Sequence, residues 1–304
     1  MGENSAITAI VSHDAGGAEI ISSWVKNNEG NYFFVLEGPA ISIFKNKLGI
    51  LKNIGLHEAI QRCDLILCGT SWKSDLEKKA ILQSKKVGKK IVAFLDHWVN
   101  YEDRFTLNGI KIFPDEIWVS DKEALKIAKK TFSEIPVLLI PNYYFLDITT
   151  QLKLIKTRKN THKGVSILYV CEPIMEHALL RYGDENYWGY TEISVLNYFL
   201  KNIVILFEHI AYIKIRPHPS EEIKKYEWTK SVSPLISEIS NSKLLVQDIM
   251  DVDLVVGCSS MAMIVALLAN KRVISSIPFK GNFFKLPFEK IEYLQDLLLL
   301  DENK

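Results

Sequence analysis

The feature that most constrains the fold is a series of short apolar runs, each ending at a polar loop and followed by a helical pattern. In the first half of the chain these runs include Ile7–Ser12, Leu65–Cys68 and Glu116–Val119. Continuous apolar strands separated by helices are typical of a parallel sheet that is covered on both faces. The series resumes at Val165–Val170 and continues to Arg272–Ser275, so the sequence predicts a second sheet of the same kind.

A chain of 304 residues fits two domains of about 150 residues each. Hydrophobic periodicity is lost between Leu146 and Gly164, which indicates a linker. We therefore predict an α/β protein with two Rossmann-like, doubly wound parallel-sheet domains facing a cleft. The predicted boundaries are 1–146 for the first domain, 147–163 for the linker and 164–304 for the second domain. Within the second domain we also predict a strand at Lys243–Val246 and a helix at Phe288–Leu300.

Charge and cysteine content limit the possible partners. The formal net charge is +1, from 37 basic and 36 acidic residues, so no overall field favours nucleic acid. None of the four cysteines forms a CxxC pair, and no apolar run approaches the ~18 residues that span a bilayer. The first residues lack a signal-peptide pattern, so we expect a cytoplasmic protein. The basic run Lys153–Lys163 has two interpretations, a solvated linker or a patch that holds the protein at the inner face of a membrane.

Two strand ends in the second half carry groups suited to a phosphate. The strand at Ala211–Ile215 leads into Arg216-Pro217-His218-Pro219, where flanking prolines restrict the backbone around the imidazole. The strand at Asp253–Val256 leads into Gly257-Cys258-Ser259-Ser260 and an apolar helix. A helix start offers free N–H groups and the positive end of the helix dipole, which favour an anion. We interpret Gly257 as allowing a ligand close to the backbone, although a plain helix cap and a rigid turn also fit these motifs.

These two motifs, over residues 205–278, resemble the C-terminal domain of GT-B glycosyltransferases. Their His-Pro and Ser-Ser pair is similar to that of bacterial sialyltransferases, polysialyltransferases and capsule Kdo transferases, which use CMP-sugars. Teichoic-acid glycerophosphotransferases, which use CDP-glycerol, carry a similar pair. In those families the histidine and the serines contact the donor phosphate, so the resemblance implies this role for His218, Ser259 and Ser260. It also implies a nucleotide-sugar-binding second domain and a first domain on the acceptor side.

The first strand ends in a second candidate site, Ser12-His13-Asp14-Ala15-Gly16-Gly17. Asp14 lies at the carboxyl end of the strand, where a carboxylate could take the proton of an acceptor hydroxyl. His13 and Glu19 are the reserve candidates for this base. Gly16 and Gly17 would permit close approach of a substrate. The alternative is that Asp14 caps the helix and the glycines serve helix–sheet packing.

Two further loops complete the set of candidates. One loop follows another strand and combines the acidic, aromatic and cationic groups that bind a sugar, in Asp96, His97, Trp98 and Arg104. The alternative is that these residues form a buried cluster that anchors the loop. The loop Gly69-Thr70-Ser71-Trp72 would contribute to the same sugar-binding surface. Glu172 opens a long aromatic and acidic loop, Cys171–Tyr190, and could accept from a ribose hydroxyl. We expect no metal, because Asp96 and His97 lack a third ligand at a suitable spacing.

The function hypothesis that follows is a metal-independent glycosyltransferase without a cofactor. Its donor would be a CMP-activated nonulosonic acid or Kdo, and its acceptor would be a glycan hydroxyl in surface-polysaccharide synthesis. Asp14 and His218 would be the catalytic residues, and Arg216 would offset the charge of the phosphate. Three alternatives stay open: a CDP-polyol phosphotransferase of the teichoic-acid type, a UDP-sugar 2-epimerase-like enzyme, and a non-catalytic protein that binds nucleotide-sugars. The sequence leaves the oligomeric state open.

Overall fold

A computed structural model describes residues 6–71, 73–155, 163–278 and 286–301 of the chain. The chain divides into two compact units, unit 1 (Met1–Asp147) and unit 2 (Ile148–Lys304). Each unit contains its own six-stranded sheet, and every strand pair within these two sheets is parallel. The predicted α/β class with two Rossmann-like parallel sheets is confirmed.

Unit 1 alternates strands and helices along its whole length. In chain order its elements are β1 (Ile7–Ser12), α1 (Ala15–Lys26), β2 (Asn31–Leu36), α2 (Pro39–Leu48), α3 (Leu56–Arg62), β3 (Leu65–Cys68), α4 (Leu76–Lys86), β4 (Lys90–Phe94), a 3-10 turn (Asp103–Phe105), β5 (Thr106–Leu107), β6 (Ile110–Lys111), β7 (Glu116–Val119), α5 (Lys122–Thr131), β8 (Val137–Leu139) and α6 (Tyr143–Leu154), which runs past the division at Asp147.

The sheet of unit 1 has the strand order β2-β1-β3-β4-β7-β8. Its apolar strands pack under α1 and α2 around Ile10, Phe34, Phe44, Leu67 and Phe94, all of which are buried. Because β2 lies on one side of β1 and β3 on the other, the chain reverses its winding at β1. In parallel sheets such a switch point leaves a crevice at the carboxyl ends of the strands, where ligands bind.

Unit 2 repeats this organisation with a different strand order. Its elements are β9 (Val165–Val170), α7 (Ile174–Tyr182), α8 (Glu192–Leu206), β10 (Ile210–Arg216), a 3-10 turn (Ile223–Tyr226), α9 (Thr229–Val232), β11 (Ile236–Ile239), α10 (Leu245–Met250), β12 (Leu254–Gly257), α11 (Met261–Leu268), β13 (Arg272–Ser275), β14 (Ile291–Tyr293) and α12 (Leu294–Asp301).

The sheet order β11-β10-β9-β12-β13-β14 places the switch point of unit 2 between β9 and β12. The apolar faces of β9, β10 and β12 bury Tyr169, Phe199, Ile213 and Val256 in one core. Asp253 fixes the two central strands at their start, because its Oδ2 accepts both the N–H and the hydroxyl of Ser166, at 2.9 and 2.6 Å. The crevice at the carboxyl ends of these strands therefore lies on a buried sheet whose strands have a fixed register.

The register makes three strands of unit 2 end at the same level. Arg216 pairs with Val170, and Val256 pairs with Tyr169, which brings Gly257 level with Val170. The loops after β9, β10 and β12 therefore start side by side. Adjacent strands lie about 4.8 Å apart, so the two outer loops start about 10 Å from each other.

Four sequence predictions differ from the structure. The predicted linker is helical up to Leu154, at the end of α6, and residues 156–162 lie outside the described part. The predicted strand at Lys243–Val246 overlaps the helix α10, and the edge strand is β11 instead. The predicted loop before Tyr190 contains the helix α7, Ile174–Tyr182. The predicted terminal helix is split between β14 and α12.

The cysteines and the helices agree with the sequence analysis as far as the structure describes them. All four cysteines are free and buried. Within the described ranges, no helix combines the length and the apolar character that crossing a bilayer requires. Most of the basic run Lys153–Lys163 lies outside the described residues.

We predict that Gly257→Ala destabilises unit 2, because a Cβ there would lie 2.7 Å from Val170 Cγ2, 3.1 Å from Val170 O and 3.2 Å from Met263 Sδ. Overpacking of this kind costs about 1–3 kcal/mol of unfolding free energy. Gly55→Ala is the matched control, because no atom lies within 4 Å of its Cβ position and its backbone is extended. Urea denaturation measures both variants, and equal midpoints for the two would contradict this account of β12.

Candidate functional site

The carboxyl edge of the sheet in unit 2 carries three polar loops on neighbouring strands. Glu172 lies two residues beyond Val170 at the end of β9, His218 lies two beyond Arg216 at the end of β10, and Ser259 lies two beyond Gly257 at the end of β12. The shared register therefore brings these three side chains to one edge, at the switch point where ligands of parallel sheets bind.

The start of α11 is occupied by the carboxylate of Glu172. Its Oε1 accepts the backbone N–H of Ser259 at 2.6 Å, and its Oε2 accepts the Ser259 hydroxyl at 3.3 Å. Burial raises the pKa of Glu172 to about 7, against the lowering effect of the N–H donors in the Ser259 loop. The Glu172 carboxyl group thus accepts from the N–H and hydroxyl of Ser259, the same donors that the sequence analysis assigned to a phosphate.

Ser260 is the N-cap residue of α11, with extended backbone at φ −76° and ψ 159°. Its side chain makes no capping hydrogen bond, and its buried Oγ has no hydrogen-bond partner within the described ranges. An N-cap serine normally accepts from the first turn of its helix. Here that hydroxyl stays available at the helix start beside Ser259.

The imidazole of His218 is held in one tautomer. The N–H of Ser220 donates to Nδ1 at 3.2 Å, and the Ser220 hydroxyl lies 2.8 Å from the same nitrogen. A backbone N–H can only donate, so Nδ1 is an acceptor and the proton of the neutral ring lies on Nε2. Nε2 is therefore the nitrogen that can donate to a phosphate oxygen.

The carboxylate of Glu221, which the sequence analysis missed, holds the His218 loop in place by accepting hydrogen bonds. Its side chain is 2% exposed and accepts from Tyr226 Oη at 2.9 Å, from Lys225 Nζ at 2.6 Å and from the N–H of His218 at 3.3 Å. Lys225 also pairs with the buried Glu192, which accepts the N–H of Met175 at 2.9 Å. The signal available in the sequence was a glutamate three residues after the histidine, in a proline-bounded turn.

Two predicted ligand groups of unit 2 have structural roles instead. Arg216 forms an ion pair with Asp248, which is 1% exposed, and donates to the carbonyl of Lys243 at 3.0 Å. Its charge is thus balanced inside the unit. Gly257 has no room for a side chain, because a Cβ there would lie 2.7 Å from Val170 Cγ2. Both residues thus help to position the strand ends, and ligand approach at the Gly257 backbone stays a prediction.

In unit 1 the crevice at the end of β1 holds a histidine–aspartate pair. His13 Nδ1 lies 2.7 Å from Asp14 Oδ1, and a carboxylate only accepts, so Nδ1 donates and Nε2 is the basic nitrogen of the neutral ring. Asp14 stands at the N-cap position of α1 without a side-chain capping bond, so the capping alternative fails. Glu19 pairs with Lys47 at 2.7 Å and is not a base here. The pair makes His13 as strong a candidate for the base as Asp14.

One of the two glycines of this loop is required by packing. A Cβ on Gly16 would overlap Asp96 Oδ2, whereas one on Gly17 would lie 3.4 Å from the Cα of Gly69, near ordinary contact distance. Substrate approach at Gly16 and Gly17 stays a prediction. A glycine that the sequence analysis missed, Gly38, lies in the left-handed region at φ 51°, where a Cβ would be 2.7 Å from His13 Nε2. Gly38 thus leaves room at the basic nitrogen, and its signal was the Glu-Gly-Pro turn after β2.

Within the loop after β4, Trp98 and Arg104 form a buried anchor. Arg104, 4% exposed, donates to Asp96 Oδ1 and Thr70 Oγ1, each at 2.8 Å. Trp98, 2% exposed, donates to Asp121 at 2.9 Å and has no open face for a sugar, which corrects its predicted role. His97 packs on Trp98, with ring centroids 5.2 Å apart. Trp72 of the predicted neighbouring loop lies outside the described residues.

Asp96 and a second buried carboxyl, Glu77, complete the crevice of unit 1. Burial raises the pKa of Asp96, while Arg104 lowers it and Asp14 raises it. Glu77, in the first turn of α4, accepts the N–H of His13 at 2.7 Å. The sequence analysis assigned Glu77 no role. The only signal was a glutamate shortly after the strand end at Cys68.

Comparisons with known proteins place the fold and leave the function open. No protein-family model matches the chain, and no curated protein sequence matches it. Among solved structures, UDP-GlcNAc 2-epimerase from Methanocaldococcus jannaschii, in complex with UDP-GlcNAc and UDP, is similar with a TM-score of 0.61 and 11% identity, over 98% of this chain and 92% of that one.

The fold is of the GT-B type. Two other enzymes align less well. An α/β-galactoside α-2,3-sialyltransferase from Photobacterium phosphoreum gives a TM-score of 0.47 at 10% identity, over 97% of this chain and 100% of that one. The wall teichoic acid polymerase TagF gives 0.47 at 12% identity, over 97% of this chain and 79% of that one. Scores at this level carry no argument about function, and the epimerase likeness shows the fold alone.

We predict that Asp248→Ala strongly destabilises unit 2, because it leaves the buried Lys214 and the largely buried Arg216 without their shared carboxylate. Removing one partner of a buried ion pair costs about 3–5 kcal/mol. Asp251→Ala is the control, because its ion pair with Lys243 is exposed and is worth about 0–1 kcal/mol. Thermal unfolding of both variants tests this role, and an unchanged melting temperature for Asp248→Ala would disprove it.

Proposed function

We propose that this chain is a metal-independent glycosyltransferase that uses a nucleotide-sugar donor, with CMP-activated nonulosonic acids or Kdo as the first donor class to test. The observation that supports it is the register of β9, β10 and β12, which brings His218, Ser259 and Glu172 to one edge at the switch point of unit 2. Helix N–H groups, hydroxyls and a donor imidazole together fit a phosphate better than an uncharged ligand.

In this proposal the donor phosphate replaces the Glu172 carboxylate at the start of α11. The phosphate oxygens then accept from the N–H and hydroxyl of Ser259 and from the hydroxyl of Ser260, and the His218 Nε2–H offsets the charge that develops on the leaving nucleotide. Displaced from Ser259, the Glu172 carboxylate becomes the acceptor for a ribose hydroxyl. Arg216 contributes indirectly, because its ion pair with Asp248 holds the end of β10.

The acceptor side of the proposal uses unit 1. The His13–Asp14 pair takes the proton from the attacking glycan hydroxyl: His13 Nε2 accepts it, and Asp14 stabilises the imidazolium that forms. Asp96 and Arg104 keep the neighbouring loop in place. We place the reaction in the cytoplasm, at the inner face of the membrane, where surface polysaccharides are assembled on their acceptors.

A UDP-sugar 2-epimerase is the second candidate. The structure of UDP-GlcNAc 2-epimerase that resembles this chain over 98% of its length holds UDP-GlcNAc and UDP. A cluster of carboxyls such as Asp14, Glu77 and Asp96 would also suit proton transfer at a sugar carbon. This candidate uses the same phosphate site in unit 2, but requires no acceptor.

A melting-temperature panel with CMP, CDP, UDP, GDP and dTDP separates the candidates. Ligand at about 100 times its Kd stabilises the folded state by about 2.7 kcal/mol, so a specific nucleotide gives a clear shift. We expect the largest shift with CMP. A larger shift with UDP would favour the epimerase, and no shift with any nucleotide would refute both.

His218→Ala should lower kcat for nucleotide release from the cognate donor by about 10²–10⁴-fold, because the leaving phosphate loses a proton donor. His209→Ala is the matched control, since this exposed histidine precedes β10 at the opposite end of the same strand. Circular dichroism establishes that both variants fold. A folded His218→Ala variant with the wild-type rate would refute the role of the imidazole.

A further inference from the structure

Glu77 lies in the crevice of unit 1 and has no role in the proposed transferase. Its side chain is 2% exposed, and its Oε1 accepts the backbone N–H of His13 at 2.7 Å. Its Oε2 is buried and has no hydrogen-bond partner in the part of the chain that the structure describes. The hydroxyl of Ser12, one residue before His13, is fully buried and equally unpartnered there.

The groups around Glu77 are acidic or neutral. The carboxyls of Asp14 and Asp96 act on it from α1 and from the loop after β4, and the Cys68 thiol faces it from β3. Two cations of the neighbouring segments have other partners, since Arg104 pairs with Asp96, and Lys78 pairs with Asp75 at 2.8 Å. An ionised Glu77 would thus be a buried charge without a counterion among the described residues, beside two other carboxylates.

We propose that Glu77 is an uncharged, protonated positioning residue for the His13–Asp14 pair. Oε1 acts as the carbonyl oxygen that fixes the His13 backbone, and Oε2 carries the proton. The pKa of Glu77 is raised to about 8, mainly by burial: the charges of Asp14 and Asp96 act in the same direction, and the N–H groups of its own helix and of His13 act against it. The assignment rests on the proposed function only where it names the pair as the base.

The protonation state predicts a pH dependence of turnover. When Glu77 loses its proton near pH 8, a third negative charge appears beside Asp14 and Asp96 and repels the carboxylate that holds His13 Nδ1. The kcat of the wild type should therefore fall on the alkaline side of about pH 8. Glu77→Gln is neutral at every pH and keeps an oxygen acceptor for the His13 N–H, so this alkaline decline should disappear.

The test compares Glu77→Gln, Glu77→Leu and the control Glu58→Gln, which alters an exposed glutamate in the first turn of α3. At about pH 6.5 we expect Glu77→Leu to lower kcat at least about tenfold with a smaller change in KM, because the His13 N–H loses its acceptor. Glu77→Gln should restore most of that loss, and Glu58→Gln should match the wild type. A Glu77→Gln variant as slow as Glu77→Leu would overturn the proposal, since it would mean that the charged carboxylate is required.

Two readouts need no turnover and separate this proposal from the proposed function. Because the pKa of Glu77 is raised on folding from 4.5 to about 8, the folded state binds more protons than the unfolded state in that window. The ionisation of Glu77 therefore makes the free energy of unfolding fall as the pH rises from about 4.5 to about 8, and it causes no further change above pH 8. The melting temperature of the wild type should fall more steeply over this range than that of Glu77→Gln.

The second readout is the imidazole of His13. Its ring proton resonance, assigned by its loss in His13→Asn, should show an inflection near the pKa of Glu77, about 8, in the wild type but not in Glu77→Gln. Equal melting slopes in the two proteins, or an inflection that persists in Glu77→Gln, would overturn the proposal even if the chain transfers sugars. Positive results here with no turnover on any donor would refute the proposed function and leave the protonated Glu77 in place.

Discussion

The interaction on which the rest of the site depends is the hydrogen bonding of the Glu172 carboxylate to Ser259 at the start of α11. At the carboxyl edge of a parallel sheet, the first N–H groups of the helix that follows each strand have no partner within that helix. A buried N–H group without a hydrogen-bond acceptor destabilises the folded state. Glu172 pairs with those donors, at the expense of burying a carboxylate whose pKa rises to about 7. In the proposed function the donor phosphate takes the place of this carboxylate.

The two units use opposite electrostatics on the same scaffold. In unit 2 the crevice presents donors, and its cations are balanced internally, as Arg216 is by Asp248. In unit 1 the crevice collects the carboxyls Asp14, Glu77 and Asp96, and Arg104 forms an ion pair with Asp96. Donors favour the binding of an anionic ligand, whereas clustered carboxyls favour proton transfer. A transferase that acts on a nucleotide-sugar requires both kinds of chemistry.

Much of the fold follows from the sequence because buried parallel strands are continuous apolar runs. Ile7–Ser12, Leu65–Cys68 and Val165–Val170 are strands with the predicted bounds for this reason. The run at Lys243–Val246 is equally apolar but too short to distinguish a strand from a helix by its period, and it enters α10. The order of the strands, and hence the switch point, depends on pairings between distant segments that no local pattern encodes.

The candidate site was predictable only in part, for the same reason. His218, Ser259 and Asp14 were identified because each follows an apolar strand, and the structure places them at sheet edges. The roles of Arg216 and Glu77 depend on partners 32 and 64 residues away, Asp248 and His13, and became apparent only in three dimensions. The steric need for glycine at positions 16 and 257 could not be predicted, because the sequence does not show which side chain fills the space beside them.

The most direct test of the anion site is an NMR titration of the full chain, labelled with ¹⁵N-serine, with CMP. The account predicts that the amide resonances of Ser259 and Ser260 shift together and saturably, as the phosphate takes the donors from Glu172, while the exposed Ser231 stays unchanged. Saturable binding of CMP that leaves the Ser259 and Ser260 amides where they were would contradict it.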